Sequence, residues 1–310
     1  SASRTAPDAS AAVAAARRAG RASGAPGASR SPRPRWRSSP ARGGGGGGQS
    51  MGSLFGGGAG GSGIVIISYL SAKPVQICTP GNDAFTYVLM HMDGTNGGTS
   101  FPDINAAATG ATWSVTGSAT TVTSPVKFGT ASYRGAASNT YVRSSQNSIY
   151  NAGSGNFTID FWIQGSPANA TTLQYITCFG NTSPTNDNSW YVYYDTSKIL
   201  RFSFQNSGGT GYQAITAATN IMDGNWHYLE FNRNGSALNI YIDGSYAVSS
   251  STSPTGSMRS GSYTFQIGQA TMASGLTTNG FLGNIDEYRY SVGIARNTSN
   301  YTPPQLPWCN

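Results

Sequence analysis

The chain has 310 residues, of which 10% are charged and 38% hydrophobic, with 41 glycines. So few Glu, Lys and Arg residues exclude a protein of long amphipathic helices, and no run of apolar residues is long enough for a membrane-spanning helix. The net charge of +7 is uneven: residues 1–62 hold nine Arg and one Asp, while residues 63–310 hold ten Lys and Arg against eleven Asp and Glu, so nucleic acid is not an expected partner of the globular part.

Residues 1–42 are almost entirely Ala, Arg, Ser, Pro and Gly. Such a segment buries too little apolar surface to offset the entropy of ordering, so it is predicted to be disordered. Its role stays open between a polybasic arm for nucleic acid or an anionic surface, an extension foreign to the fold, and a transit-peptide-like start. No apolar core of a secretory signal occurs in it. Residues 43–62 continue as a glycine tract, which completes the disordered arm 1–62. Gly48-Gln49-Ser50-Met51-Gly52 matches a nucleophile elbow and Gly56, Gly58 and Gly61 match a dinucleotide fingerprint. Both patterns require a strand before and a helix after, and neither has them. A short β-branched strand, Ile64-Val65-Ile66-Ile67-Ser68-Tyr69-Leu70, then occupies a linking segment over 63–74.

The globular domain is predicted over 75–310. Phe157, Ile159, Phe161 and Ile163 alternate with Thr158, Asp160 and Trp162, the period of a strand. Leu238, Ile240 and Ile242 do the same, and Asp243-Gly244 then turns the chain into Ser245-Tyr246-Ala247-Val248 as a hairpin. Further strands are predicted at 85–91, 140–143, 174–180, 189–194, 199–204, 226–233, 263–268 and 284–290. Roughly twelve strands and no long helical period predict an all-β, antiparallel two-sheet sandwich. Cys78, Cys178 and Cys309 show no metal-ligand spacing, and their odd number argues against a disulfide framework, so they are read as thiols. His227 has no second histidine nearby and is read as a structural group. Arg233 and Arg289 are expected to satisfy buried carboxylates such as Asp286 or Glu287.

Several motifs follow in a fixed order: Lys127-Phe128-Gly129, then Asn156-Phe157-Thr158-Ile159-Asp160-Phe161-Trp162-Ile163, then Gly224-Asn225-Trp226-His227-Tyr228 with Tyr241-Ile242-Asp243-Gly244 behind it. The series closes with Phe281-x-Gly283-x-Ile285-Asp286-Glu287-Tyr288-Arg289-Tyr290, Gly293-Ile294-Ala295-Arg296 and Tyr301-Thr302-Pro303-Pro304. Over residues 85–305 this resembles the laminin-G-like, concanavalin-A-like jelly-roll family. The closing variant and the preceding glycine tract look most like copies carried by phage and virus structural proteins.

The resemblance implies a jelly roll and a non-enzymatic adhesion module on a tail-fibre-like virion appendage. Its implied partners are host-surface glycans or other virion proteins, and its implied place is the virion surface or the extracellular space. A homo-oligomer is compatible with this reading. A secreted or surface bacterial lectin-like module, and a glycoside hydrolase of the same fold, are the alternatives. Hydrolysis needs two carboxylates flanking one bond. Asp160 stands alone between apolar neighbours, and Asp286 and Glu287 are adjacent and so should face opposite sides. No catalytic residue is therefore assigned. The resemblance also implies one Ca²⁺, whose ligands would be Asp93 and Asp286; the competing reading has Asp93 solvated in a turn and Asp286 paired with an arginine. Segments such as Asn188-Ser189-Trp190-Tyr191 and Tyr193-Tyr194-Asp195 supply aromatic and polar groups, but alternation must bury about half of the aromatics, so the ligand-binding residues stay unknown.

Overall fold

The structure, a computed structural model, describes residues 77–180, 188–216, 221–261, 263–270 and 279–310. The expected arm over 1–62 and linking strand over 63–74 lie outside the described residues. Fifteen strands run through the described chain: β1 (Thr86–Met90), β2 (Trp113–Thr116), β3 (Thr120–Val122), β4 (Ser132–Arg134), β5 (Tyr141–Ser144), β6 (Phe157–Gly165), β7 (Gln174–Gly180), β8 (Asn188–Tyr194), β9 (Leu200–Gln205), β10 (Gly211–Ile215), β11 (Trp226–Asn234), β12 (Ala237–Ile242), β13 (Ser245–Ser249), β14 (Thr264–Ile267) and β15 (Gly283–Val292). One helical turn, α1 (Ala106–Thr109), and two 3₁₀ turns complete the described elements. No helix among the described residues is long and apolar enough to cross a membrane.

All of these strands pair antiparallel, in two sheets. The eight-stranded sheet runs β13-β12-β11-β6-β15-β4-β3, with β1 also on β15; the seven-stranded sheet runs β10-β9-β8-β7-β14-β5-β2. Every strand predicted within 85–290 is present. Four others, β2, β3, β4 and β10, escape the sequence because they have only three to five residues and little apolar alternation. Neighbouring strands template such segments, and pairing of this kind has no local signature. The Asp243-Gly244 hairpin forms as expected. Both residues take positive φ, 51° and 76°, as a two-residue turn of that hand requires.

Phe157, Ile159, Phe161 and Ile163 are fully buried between the sheets. There Phe157 meets Trp190 and Phe202, and Phe161 stacks on Tyr288 at 5.2 Å. The opposite side of β6 is buried too: Thr158 and Asp160 are 0% exposed and Trp162 is 5% exposed. Alternation predicts two faces but not that both are covered. The cover comes from the chain on either side of the jelly roll. Trp162, Tyr228, Leu89 and Trp308 form a second apolar cluster on the outer face of the eight-stranded sheet, with Phe128, Trp226 and Tyr301 packed against it. Tyr301 donates its N–H to Gly244 O at 2.8 Å, and Thr158 Oγ1 donates to Ile294 O at 2.9 Å.

A disulfide between Cys78 and Cys309 closes this strap, with a parallel bridge from Thr79 to Trp308 beside it. The expectation of three thiols is therefore wrong for two of them. The two half-cystines are 231 positions apart and lie outside the 85–305 motif series, so only the fold brings them together. Cys178 is buried in β7.

Candidate functional site

Along β8 the side chains alternate from Trp190 to Tyr194. Trp190, Val192 and Tyr194 enter the core, while Tyr191 and Tyr193 stand half-buried on the outer face of the seven-stranded sheet. Tyr175 of β7 joins them. The ring centroids lie 5.5 Å apart for Tyr175–Tyr193, 5.6 Å for Tyr191–Tyr193 and 6.3 Å for Tyr175–Tyr191. A groove of about 440 Å³ runs beside Tyr191 over Asn188, Ser203, Gln205 and Gln213. Gln213 Nε2 donates to Ser203 Oγ at 2.8 Å, and Arg201 Nε donates to Asp195 Oδ2 at 2.7 Å. No charged side chain among the described residues lines the groove, which presents rings, amides and hydroxyls. Burial pushes the Tyr175 phenol up to about 12 and raises Tyr193 as well, so both stay neutral donors at physiological pH. Such a surface can stack on an apolar ring face and exchange hydrogen bonds with hydroxyls. The tyrosines were visible in the sequence, but which of them face outward follows from the register of β8 on β7 and β9.

The carboxylates expected to matter are committed elsewhere. Asp160 receives Arg289 in a two-pronged ion pair, with Nη2 to Oδ2 at 2.6 Å and Nε to Oδ1 at 3.0 Å. Glu230 accepts from Asn232 Nδ2 at 2.8 Å and Asn297 Nδ2 at 2.6 Å. Glu287 accepts from Trp308 N at 2.8 Å and faces His91 Nδ1 at 2.9 Å. His227 spans Asp243 and Asp223 at 2.8 and 3.1 Å, a structural role. Two expectations need correction. Arg289 pairs with Asp160 rather than with Asp286 or Glu287, and Arg233 donates to the carbonyls of Gly235 and Gly256. Asp286 and Glu287 do not serve opposite faces either. A bulge shifts the register between Asp286 and Arg289, and Glu287 takes a φ of 49°, so both reach the segments covering the outer face.

Asp93 and Asp286 converge on one loop without sharing a ligand sphere. Asp286 Oδ2 accepts from Lys127 N at 2.8 Å and Phe128 N at 3.1 Å, and its Oδ1 accepts from Glu287 N. Asp93 Oδ1 accepts from Thr130 N, Thr130 Oγ1 and Ala131 N. Between them Gly129, at a φ of 66°, lies so close to Asp93 that a Cβ would stand 2.3 Å from Oδ1. N–H and O–H donors thus point at both oxygens of Asp286 and at Oδ1 of Asp93, which Ca²⁺ would need, and so arranged these residues do not fit a Ca²⁺ cradle. Among the described residues no three His, Cys, Asp or Glu side chains gather as metal ligands. Asp93 is half-exposed and also engaged by Thr130 and Ala131, and Asp286 has no arginine partner among the described residues.

Burial pushes Asp286 up to about 8 against its three N–H donors, and pushes Glu230 up to about 7 with help from the nearby Asp160 charge. A carboxyl raised in this way binds its proton more tightly when folded. Its contribution is therefore full below the unfolded value of 4.5 and fades as pH rises through about 7. His91 and His227, raised chiefly by their hydrogen bonds to Glu287 and Asp243, act in the same direction. Asp83, held at about 2 by Arg296, works oppositely and loses its contribution as pH falls from 3.8 towards 2. Stability is thus expected to peak on the acid side of neutrality. Thermal melts at pH 5 and pH 9 should differ, and Glu230→Gln should remove about 3 kcal/mol of that difference.

A family model described as the concanavalin A-like lectin/glucanases superfamily matches residues 135–292. Among solved structures, the binding domain of Paraclostridial Mosquitocidal Protein 1 is 16% identical with a TM-score of 0.51, over 68% of this chain and 50% of that one. The receptor binding domain of botulinum neurotoxin type G is 13% identical with a TM-score of 0.47, over 68% of this chain and 49% of that one. Domain 4 of AbnA, a GH43 extracellular arabinanase from Geobacillus stearothermophilus in complex with arabinotriose, is 15% identical with a TM-score of 0.41, over 67% and 93%. This chain thus spans about half the length of the two toxin domains. None of the curated protein sequences matches it.

Proposed function

Because the chain belongs to the concanavalin A-like lectin/glucanases superfamily, we propose that it is a non-enzymatic binding module that holds a neutral glycan on the tyrosine groove of its seven-stranded sheet. The observation that carries this reading is the outward trio Tyr175, Tyr191 and Tyr193 beside the amides and hydroxyls of Asn188, Ser203 and Gln213. Sugar rings present apolar faces to aromatics and hydroxyls to short polar groups. The carboxylates support binding over turnover. Cleavage of a glycoside needs an acid and a base or nucleophile flanking one bond, whereas Asp160, Glu230 and Glu287 are buried and engaged by Arg289, Asn297 and Trp308. The mosquitocidal protein's domain is itself a binding domain.

The finer reading is an adhesion module on a phage tail-fibre-like appendage, outside the cell, with host-surface glycans or neighbouring virion proteins as partners. It is supported by the glycine tract and by the closing Ala295-Arg296 and Tyr301-Thr302-Pro303-Pro304 motifs. A bacterial surface lectin would use the same groove, and genomic neighbourhood separates the two.

The test is to incubate the purified chain with host-surface polysaccharide and measure both retention and new reducing ends. Retention without reducing ends is expected. Tyr191→Ala should weaken retention about tenfold, as the loss of about 1.4 kcal/mol of ring contact would. Steady release of reducing ends that stops on replacing Glu230 or Glu287 would establish the hydrolase instead.

A further inference from the structure

The eight-stranded sheet carries a second cleft, of about 590 Å³, which the tyrosine groove does not involve. Three of its polar side chains come from one cross-strand row. Arg134 of β4 faces Asn284 of β15 in register, and Asn284 faces Gln164 of β6. The next inward positions, Tyr133, Ile285 and Ile163, are core residues, so pleating turns the whole row to the outer face. The strap does not cover this end of the sheet; the cleft is walled instead by Pro125, Pro167 and Asn169.

Arg134 is exposed and its guanidinium has neither an ion pair nor a hydrogen bond among the described residues, unlike those of Arg201, Arg289 and Arg296, each of which has a carboxylate. No Asp or Glu lines the cleft. Asp223, beside the lining residue Gly224, is taken by Asn225 N at 2.8 Å and His227 Nε2 at 3.1 Å. The amides are half used. Asn284, 4% exposed, donates Nδ2 to Ser132 Oγ; Gln164 donates Nε2 to Gly224 O at 2.7 Å; Asn169 donates Nδ2 to Leu282 O. Each amide thus uses one N–H on a protein acceptor, and each amide oxygen is left without a donor among the described residues. One guanidinium and three waiting acceptors ask for a ligand that offers one anionic group and several hydroxyl donors.

We propose that this cleft binds a sugar acid, with its carboxylate on Arg134 and its hydroxyls donating to the amide oxygens of Asn284, Gln164 and Asn169. The module would then read an acidic unit of a glycan here, independently of the tyrosine groove.

Calorimetric titration of the full chain with trigalacturonate and with its methyl ester tests this, because the two differ in charge and share their rings. The acid is expected to bind at least about tenfold more tightly than the ester, and Arg134→Gln to erase that preference while leaving the melting temperature unchanged. Tyr191→Ala should leave acid binding intact even if the tyrosine groove binds nothing. Equal affinity for acid and ester, full acid binding by Arg134→Gln, or no binding of the acid at millimolar concentration would overturn the proposal. Loss of acid binding in Tyr191→Ala would also overturn it by placing the acid in the other groove. Equal competition by sulfate would reduce the cleft to a simple anion site and overturn the sugar part.

Discussion

Arg289→Met is expected to destabilise the folded chain by about 3–5 kcal/mol, read as a lowered denaturant midpoint with an unchanged slope. Asp160 is 0% exposed and Arg289 is 4% exposed. The arginine gives Nε and Nη2 to Asp160, gives Nη1 to Gly81 O at 3.1 Å, and lies 3.7 Å from the Trp308 ring centroid. Removing it leaves a carboxylate sealed under the strap with no cation, and that uncompensated charge accounts for most of the loss. The double replacement Asp160→Leu with Arg289→Met should recover a large part of the stability, because a buried pair contributes little beyond repaying its own desolvation. If the double variant were as unstable as the single one, Arg289 would matter chiefly through its contacts with Gly81 and Trp308.

Cys309→Ser should cost up to about 5 kcal/mol, since the bridge closes a loop of more than two hundred residues in the unfolded chain. Reductant should reproduce the effect in the native protein and do nothing further to the variant. The change should begin locally. Thr79 N–H donates to Pro307 O at 2.6 Å and Cys309 N–H to Thr79 O at 2.8 Å, a small patch of backbone pairing that the bridge holds in place. Once it loosens, Trp162 and Tyr228 lose their cover, so tryptophan emission should shift to the red before the sheet signal falls. An emission change that coincides with sheet loss would mean that the strap and the sandwich unfold as one unit.

The two-sheet sandwich was legible in the sequence because its longest strands carry their own signal. Phe157 to Ile163 and Leu238 to Ile242 alternate at the strand period, and Asp243-Gly244 supplies the turn. The order of the larger motifs followed from the same residues. The candidate site was legible only as a set of aromatics: the Trp190–Tyr194 stretch contains both core and surface rings, and nothing local says which parity is inward. The sequence offered Asp93 and Asp286 as a pair only through the family resemblance. Both do meet the loop 127–131, but the donors awaiting them are backbone N–H groups, which no side-chain pattern encodes.

By itself, the sequence determined the fold class, the two-residue alternation of its longest strands and the low charge of the globular part, because each depends on residues close together in the chain. The tertiary structure decided the rest. The Cys78–Cys309 bridge, the Asp160–Arg289 pair under its strap, the outward face of Tyr191 and Tyr193, and the row of Arg134, Asn284 and Gln164 all join residues from separate strands or distant segments. Their partners are chosen by sheet order and by what covers each face, and those follow from the packing of the whole sandwich rather than from any local window of sequence.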